Sequence, residues 1–205
     1  GGNFDFVYDL QTSDRSNWYY RLLGPGPRPG WSGIAAGCSH PHRNPDRDHM
    51  HTIERQAEQL LHAGIDPVPT ADLSWMTADT DRFGIAGRIV LLVPGGAAHR
   101  PEKRWPVENF AALAKALAAD GLQPVLLGGS QENELGQAIR AACPEVRDLT
   151  GETGFRDIAA LARQAAGAVG NDTGPMHLIA ATDCPALVLF SSDSDPTLTQ
   201  PRGKA

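Results

Sequence analysis

Apolar and polar positions change rhythm midway along this chain, and the second half is the more regular. Short apolar runs at Ile89–Val93, Val125–Leu127, Gly167–Gly170 and Ala186–Phe190 read as strands. Between and after them, Val107–Ala119, Glu132–Ala142, Phe155–Gln164 and Pro175–Thr182 read as helices. The strand runs are apolar at successive positions rather than at every second one, which fits burial on both faces of a parallel sheet. Regular alternation of strand and helix predicts a doubly wound α/β domain. The first half is less periodic. Phe6–Leu10 reads as a short strand and Ser13–Leu23 as a helix, and Ile53, Ala57, Leu60 and Leu61 recur at helical spacing before Gly64 ends that helix. Residues 24–50, rich in proline and glycine, read as a long loop, and residues 65–87 as a linker. No internal repeat or low-complexity tract is visible.

Composition narrows the class. A chain of 205 residues with 41% hydrophobic content can bury a sizeable core, as one large domain or two small ones. The net charge of −6 argues against a protein that grips nucleic acid through its overall field. Cys38, Cys143 and Cys184 are far apart, odd in number and form no C-x-x-C pair, which fits reduced structural thiols in a cytosolic protein. No apolar run approaches a membrane span and no signal peptide opens the chain. The opening Gly1–Phe6 reads like the middle of a domain rather than a natural beginning.

In doubly wound sheets ligands bind beyond the carboxyl ends of the strands. That rule selects four segments. After Gly170 comes Asn171-Asp172-Thr173-Gly174-Pro175-Met176-His177. Pro175 suits the first helical position, Thr173 or Asp172 can cap, and the helix N-terminus favours an anion, most naturally a phosphate. The same residues also fit an ordinary well-capped connection. After Val93, Gly95 and Gly96 allow close approach of a ligand to the backbone, while Arg100, Lys103 and Arg104 can neutralise phosphate or form a solvated basic loop. After Leu127, Glu132 or Glu134 can accept from ribose hydroxyls or simply favour a helix start. After Phe190, the run Ser191–Pro196 contains an Asp-x-Asp, read as a turn and helix cap in preference to a metal site.

Histidines suggest a rival chemistry. His40, His42, His49, His51 and His62 gather near Cys38, and His-x-His occurs twice, so zinc is a candidate ligand. The proline-rich setting lacks regular ligand spacing, and no metal is expected on this evidence. The plainer reading is a hydrophilic loop.

Several motifs together resemble glycosyltransferase family 9, the heptosyltransferases of lipopolysaccharide core assembly. They are Lys103-Arg104-Trp105-Pro106, Phe110-Ala111-Ala112-Leu113-Ala114, Leu126-Leu127-Gly128-Gly129, Asp148-Leu149-Thr150-Gly151 and Gly170–Ala181. The resemblance is strong over residues 88–202, and Tyr8–Ser13 is similar to a segment late in the family's first domain. It implies two Rossmann-like domains of the GT-B type: residues 1–75 as the remainder of an acceptor-side domain with its linker, and residues 76–205 as the donor-binding domain.

The resemblance further implies inverting, metal-independent transfer of a heptose or related sugar, with no cofactor. The donor would be ADP-heptose or another nucleotide sugar, and the acceptor a lipid-linked saccharide. Lys103 would bind the donor phosphate. Asp172, Thr173, Gly174 and His177 would form the diphosphate and sugar side, and Glu132 or Glu134 would meet the ribose. Gly95, Gly96 and Arg100 would line the phosphate loop. The family's general base, an Asp in an early G-D turn, has no match in residues 1–30. It is expected in a segment preceding this chain, which also stops short of the family's final helices. Asp9 and Asp14 read instead as strand-end and helix-cap residues. A cytoplasmic protein at the inner face of the inner membrane is expected, with any membrane contact peripheral and no nucleic-acid partner. The alternatives are a non-catalytic nucleotide-sugar binding module and a nucleotide-sugar epimerase of similar architecture.

Overall fold

The computed structural model describes residues 4–24, 26–96, 104–192 and 194–203. The chain divides into two compact α/β units, Gly1–Thr70 with Thr197–Thr199, and Ala71–Pro196 with Gln200–Ala205.

In the N-terminal unit β1 (Phe6–Tyr8), β2 (Gly30–Gly33) and β3 (His40–Pro41) form a parallel sheet in that order, with Phe6 opposite Gly30 and Ser32 opposite His40. Helix α1 (Asp14–Leu22) starts where a reciprocal capping box permits: Ser16 N–H donates to Ser13 Oγ at 3.2 Å, and Ser13 N–H to Ser16 Oγ at 2.9 Å. Ser13 is therefore the cap, and Asp14 lies in the first turn. Asp9 is the expected strand-end residue, with Oδ1 accepting from Thr12 N–H at 3.0 Å. Helix α2 (Thr52–His62) is capped by His51 Nδ1, which accepts from Ile53 N–H at 3.2 Å. Gln59, almost fully buried, donates to the Asp9 carbonyl at 2.9 Å and ties α2 to the end of β1. Tyr20 and Trp31, ring centroids 5.2 Å apart, form the small core with Ala35 and Cys38.

The stretch 24–50, expected to be a loop, thus carries two strands. Their extended form comes from pairing, β2 with β1 and β3 with β2, rather than from apolar content. A Cβ at residue 30 would lie 2.3 Å from the Phe6 ring, so only glycine fits there.

The C-terminal unit is built on β4 (Ile89–Val93), all five of whose residues are buried. Successive side chains of a strand point to opposite faces. Ile89, Leu91 and Val93 accordingly join one core cluster, and Val90 and Leu92 the other. Helix α3 (Val107–Ala119), β5 (Gln123–Leu126), α4 (Asn133–Ala142), β6 (Arg147–Asp148), α5 (Phe155–Gln164), β7 (Gly167–Asn171), α6 (Gly174–Ala180) and β8 (Ala186–Leu189) follow, before the short α7 (Pro196–Thr199). The sheet is parallel throughout, in the order β6-β5-β4-β7-β8. Phe110, Ala111, Ala114 and Ile139 of α3 and α4 cover one face, and Ile158, Leu161, Met176 and Ile179 of α5 and α6 the other. Residues 71–87, read as linker, pack within this unit: Met76 and Phe83 are buried, and Arg163 donates to the carbonyls of Leu73 and Met76.

Two glycine-dependent contacts fix the sheet. A Cβ at Gly170 would stand 2.7 Å from both Met176 Sδ and Val93 Cβ. Close packing of β7 on β4 and α6 therefore requires glycine. Gly170→Ala is expected to lower stability by about 1–3 kcal/mol through overpacking, measured by urea unfolding; a change below about 0.5 kcal/mol would contradict this packing. All three cysteines are buried and free, and burial pushes each thiol above its ordinary value. The native chain should therefore react slowly with a thiol reagent and the unfolded chain fast. Rapid native labelling would place at least one thiol at the surface.

Candidate functional site

β4 is followed in the sheet by β5 on one side and by β7 on the other, so the order of strands reverses between β4 and β7. The carboxyl ends of these two strands mark the topological position at which open parallel sheets form a ligand-binding crevice. Asn171, the last residue of β7, closes its base. It is 1% exposed. Its Nδ2 donates to the carbonyls of Pro94 at 2.9 Å and Gly95 at 3.1 Å, and its Oδ1 accepts from Trp105 N–H at 2.9 Å. One amide thus ties the segment leaving β4 to the segment entering α3. The Trp105 ring packs edge-on against Phe110, centroids 5.0 Å apart, which anchors that segment in the core.

Gly95 is held between Asn171 and Glu132. A Cβ at Gly95 would lie 2.9 Å from Glu132 Cγ, so a side chain there would displace the glutamate. Glu132, 5% exposed, accepts from Gly129 N–H through Oε2 at 2.8 Å. It closes the turn after β5 and stands against the loop after β4. The contact it makes is the capping one, to Gly129 N–H, with the carboxylate placed at the strand ends. Glu134 is instead exposed in the first turn of α4. Gly96 is bound by Arg104, whose Nη2 donates to the Gly96 carbonyl at 2.5 Å. Arg100 and Lys103 lie outside the described residues.

After β7, Asp172 N–H donates to the Leu189 carbonyl at 3.1 Å, which ties the segment to the end of β8. Asp172 Oδ1 lies 3.8 Å from Nε2 of the half-exposed His177. α6 begins at Gly174, so Pro175 is its second residue rather than its first. Thr173 holds the capping position with extended backbone, yet its side chain makes no capping bond, and its buried Oγ1 has no hydrogen-bond partner. The expected cap by Thr173 or Asp172 is thus absent: the threonine hydroxyl is unused and the aspartate faces His177. Pro175 has no N–H, and the Met176 and His177 N–H groups donate to the Thr173 carbonyl at 3.0 and 3.3 Å, so the Gly174 N–H is the helix-start group left to meet an anion. After β8, Asp193 lies outside the described residues, and Ser194 N–H donates to the Ser191 carbonyl at 3.2 Å in the turn preceding α7.

The structure therefore gathers Gly95, Gly96, Glu132, Asp172, Thr173, Gly174 and His177 along the carboxyl ends of β4, β5, β7 and β8, and leaves Glu134 on the surface of α4. Two members escaped the sequence reading of individual sites. Asn171 was visible only as part of a motif; an amide directly after an apolar strand was the available signal. Arg104 was grouped with the loop cations, whereas its guanidinium holds Gly96. At the opposite edge, a hollow of about 470 Å³ is lined by Arg88, Ala166, Gly167, Pro185 and Leu187, at the amino ends of the strands. It is a largely apolar, uncovered sheet face with none of the polar residues above.

With this geometry in place, comparison with known proteins is informative. The family model of glycosyltransferase family 9 (heptosyltransferase) matches residues 1–205. Lipopolysaccharide heptosyltransferase 2 of Salmonella typhimurium is 39% identical over 111 residues, covering 52% of this chain and 32% of that protein. The solved structure of E. coli ADP-heptose LPS heptosyltransferase II is 27% identical with a TM-score of 0.74, covering 98% of this chain and 66% of the other. The E. coli heptosyltransferase WaaC, solved with ADP, is 23% identical with a TM-score of 0.75, covering 99% of this chain and 65% of the other, and shares the fold. The chain thus spans about two-thirds of these solved structures, and its aligned segment about a third of the Salmonella protein.

Replacing Asn171 tests the base of the crevice. Asn171→Ala leaves two carbonyls and one N–H without partners and is expected to lower stability to urea by about 2–4 kcal/mol. Asn171→Asp keeps an acceptor for Trp105 but turns a second oxygen toward the two carbonyls, so its loss should be at least as large. Losses below about 0.5 kcal/mol for both would show that the amide does not hold the loop.

Proposed function

This chain belongs to glycosyltransferase family 9, the heptosyltransferases, and on that premise we propose that its C-terminal unit binds the ADP portion of a nucleotide-sugar donor. The reaction proposed for the protein is transfer of a heptose or related sugar from ADP-heptose to a lipid-linked saccharide of the lipopolysaccharide core. The observation that carries this reading is the Asn171 amide, which binds Pro94, Gly95 and Trp105 together at the strand-order reversal. It brings a glycine loop, a buried carboxylate and a helix N-terminus to one crevice. Two solved relatives support the same donor: one is an ADP-heptose LPS heptosyltransferase and another was solved with ADP.

In this reading Gly95 and Gly96 let the diphosphate approach the backbone, and Arg100 and Lys103 neutralise it. Glu132, already fixed by Gly129 N–H, offers its remaining acceptor capacity to the ribose. Asp172, Thr173, Gly174 and His177 meet the diphosphate and the sugar, and the unused Thr173 hydroxyl is a donor ready for a phosphate oxygen. The reaction is a direct displacement at the anomeric carbon with inversion. A carboxylate removes the acceptor hydroxyl proton as the acceptor oxygen attacks, and ADP departs. Charge growing on the leaving diphosphate is met by the Lys103 ammonium and the Gly174 N–H at the start of α6. No metal is assigned to this step.

Among the described residues we assign none as the base, because Asp9 is engaged by Thr12 and Asp14 sits in the first turn of α1. The N-terminal unit is read as part of the acceptor-side domain. No helix among the described residues is long and apolar enough to cross a membrane. The proposed setting is the cytoplasmic face of the inner membrane, reached by peripheral contact.

Calorimetric titration of the purified chain with ADP, ADP-heptose, UDP and GDP, with and without EDTA, tests the reading. Selective and EDTA-insensitive binding of the adenine nucleotides is expected; preference for UDP or GDP would contradict the assigned donor. Lys103→Ala removes a charge-assisted contact and should weaken ADP binding by about 10- to 100-fold. Unchanged affinity would remove Lys103 from the site.

A further inference from the structure

We propose that the N-terminal unit carries a divalent transition-metal site, best suited to zinc, formed by His42, Glu58 and His62. One ligand atom from each residue can be chosen so that all three lie within 4.8 Å of one another. His42 follows β3, and Glu58 and His62 lie four residues apart on α2. That spacing places the latter two on the same helix face, one turn apart. The helix then packs them toward the residue after β3. The His42 and His62 rings stand edge to face with centroids 5.9 Å apart.

Geometry alone would not separate a metal site from a cluster of surface polar groups. The state of His42 does. Its side chain is 0% exposed, and neither Nδ1 nor Nε2 has a hydrogen-bond partner. Nε2 lies 3.4 Å from Glu58 Oε1, outside the alignment of a hydrogen bond. A buried imidazole with no aligned hydrogen bond and only a 3.4 Å carboxylate beside it is costly, and a metal bond to one ring nitrogen would satisfy it. The 3.4 Å separation is close to the ~3.3 Å between two ligand atoms at opposite corners of a tetrahedral edge around zinc.

The surroundings fit as well. Asn44 Nδ2 donates to both Glu58 oxygens, at 2.9 and 3.0 Å, and so fixes the orientation of the carboxylate. Such outer partners commonly fix metal-binding carboxylates. His62 is the exposed member, at the last residue of α2, and can close the remaining gap by side-chain rotation. Two imidazoles and one carboxylate favour zinc and its neighbours over magnesium or calcium, and three protein ligands leave a fourth position for water. Bound metal would pin α2 to the segment after β3. The pattern has no regular spacing in sequence, which is why the histidine-rich segment gave no ligand set by itself.

The test uses the full chain without a histidine tag, stripped of metal and titrated with Zn²⁺ against a chromophoric chelator, and separately with Co²⁺. One equivalent of tight Zn²⁺ is expected, with the strong visible bands of tetrahedral cobalt and a rise in melting temperature on binding. His62→Ala, at an exposed helix end, and Glu58→Gln should each weaken binding by about ten-fold or more. His49→Ala, an exposed histidine outside the set, should leave it unchanged. Absence of stoichiometric uptake, a weak octahedral cobalt spectrum, or equal loss in His49→Ala and His62→Ala would overturn the site. These readouts involve no nucleotide, so they stand or fall independently of the donor assignment.

Discussion

A buried primary amide must have its two donor hydrogens and its acceptor matched, and at Asn171 this requirement organises the carboxyl ends of the larger sheet. The partners are backbone groups of Pro94, Gly95 and Trp105, which belong to the two ends of the connection between β4 and α3. Because all three bonds are to backbone, they fix the course of the chain rather than the identity of side chains. Gly95 then faces Glu132 at a distance that tolerates no Cβ. Gly170, one residue before Asn171, is similarly closed in by Met176 and Val93. Position and packing therefore support each other: the glycine lets β7 approach β4, and the approach brings the amide within reach of its partners.

This arrangement separates support from chemistry. Asn171, Gly170, Gly129 and Trp105 hold the strand ends in place, whereas Glu132, Asp172, Thr173 and His177 are the groups assigned to the ligand in the proposed donor site. A polar hydroxyl buried without a partner, as at Thr173, is unusual in a purely structural turn. It is ordinary in a site whose ligand supplies the missing bond. The apolar hollow at the amino ends of the same strands lacks these groups and has no comparable polar convergence.

Much of the C-terminal unit was legible in the sequence, for identifiable reasons. β4 is an unbroken run of apolar residues, and α3 and α5 have clear periods bounded by Pro106 and Gly154, so their observed limits match the expected ones. β6 was not legible, because its two residues, Arg147 and Asp148, are charged and become a strand only by pairing with β5. β2 and β3 were hidden by proline and glycine for the same reason: they are strands by virtue of pairing, β2 with β1 some 24 residues earlier and β3 with β2, and not by apolar content. The candidate site divides similarly. Strand-end loops could be located by topology, and their residues by motif. The tie made by Asn171 depends on contacts 66 to 77 residues distant, and the juxtaposition of His42 with Glu58 and His62 depends on how α2 packs. Local patterning carries neither. The capping role expected of Thr173 failed because the helix starts without a side-chain cap.

The central claim is that one crevice, at the carboxyl ends of β4, β5 and β7, receives the adenine nucleotide. Amide chemical-shift mapping of the nitrogen-15-labelled chain during titration with ADP tests it most directly. The account predicts that the largest shifts fall on Gly95, Gly96, Gly129, Glu132 and the amides of residues 172–174, 176 and 177, with those of residues 166–168 and 186–187 nearly unmoved. Shifts concentrated at the amino ends of the strands, or spread without focus over the sheet, would contradict it.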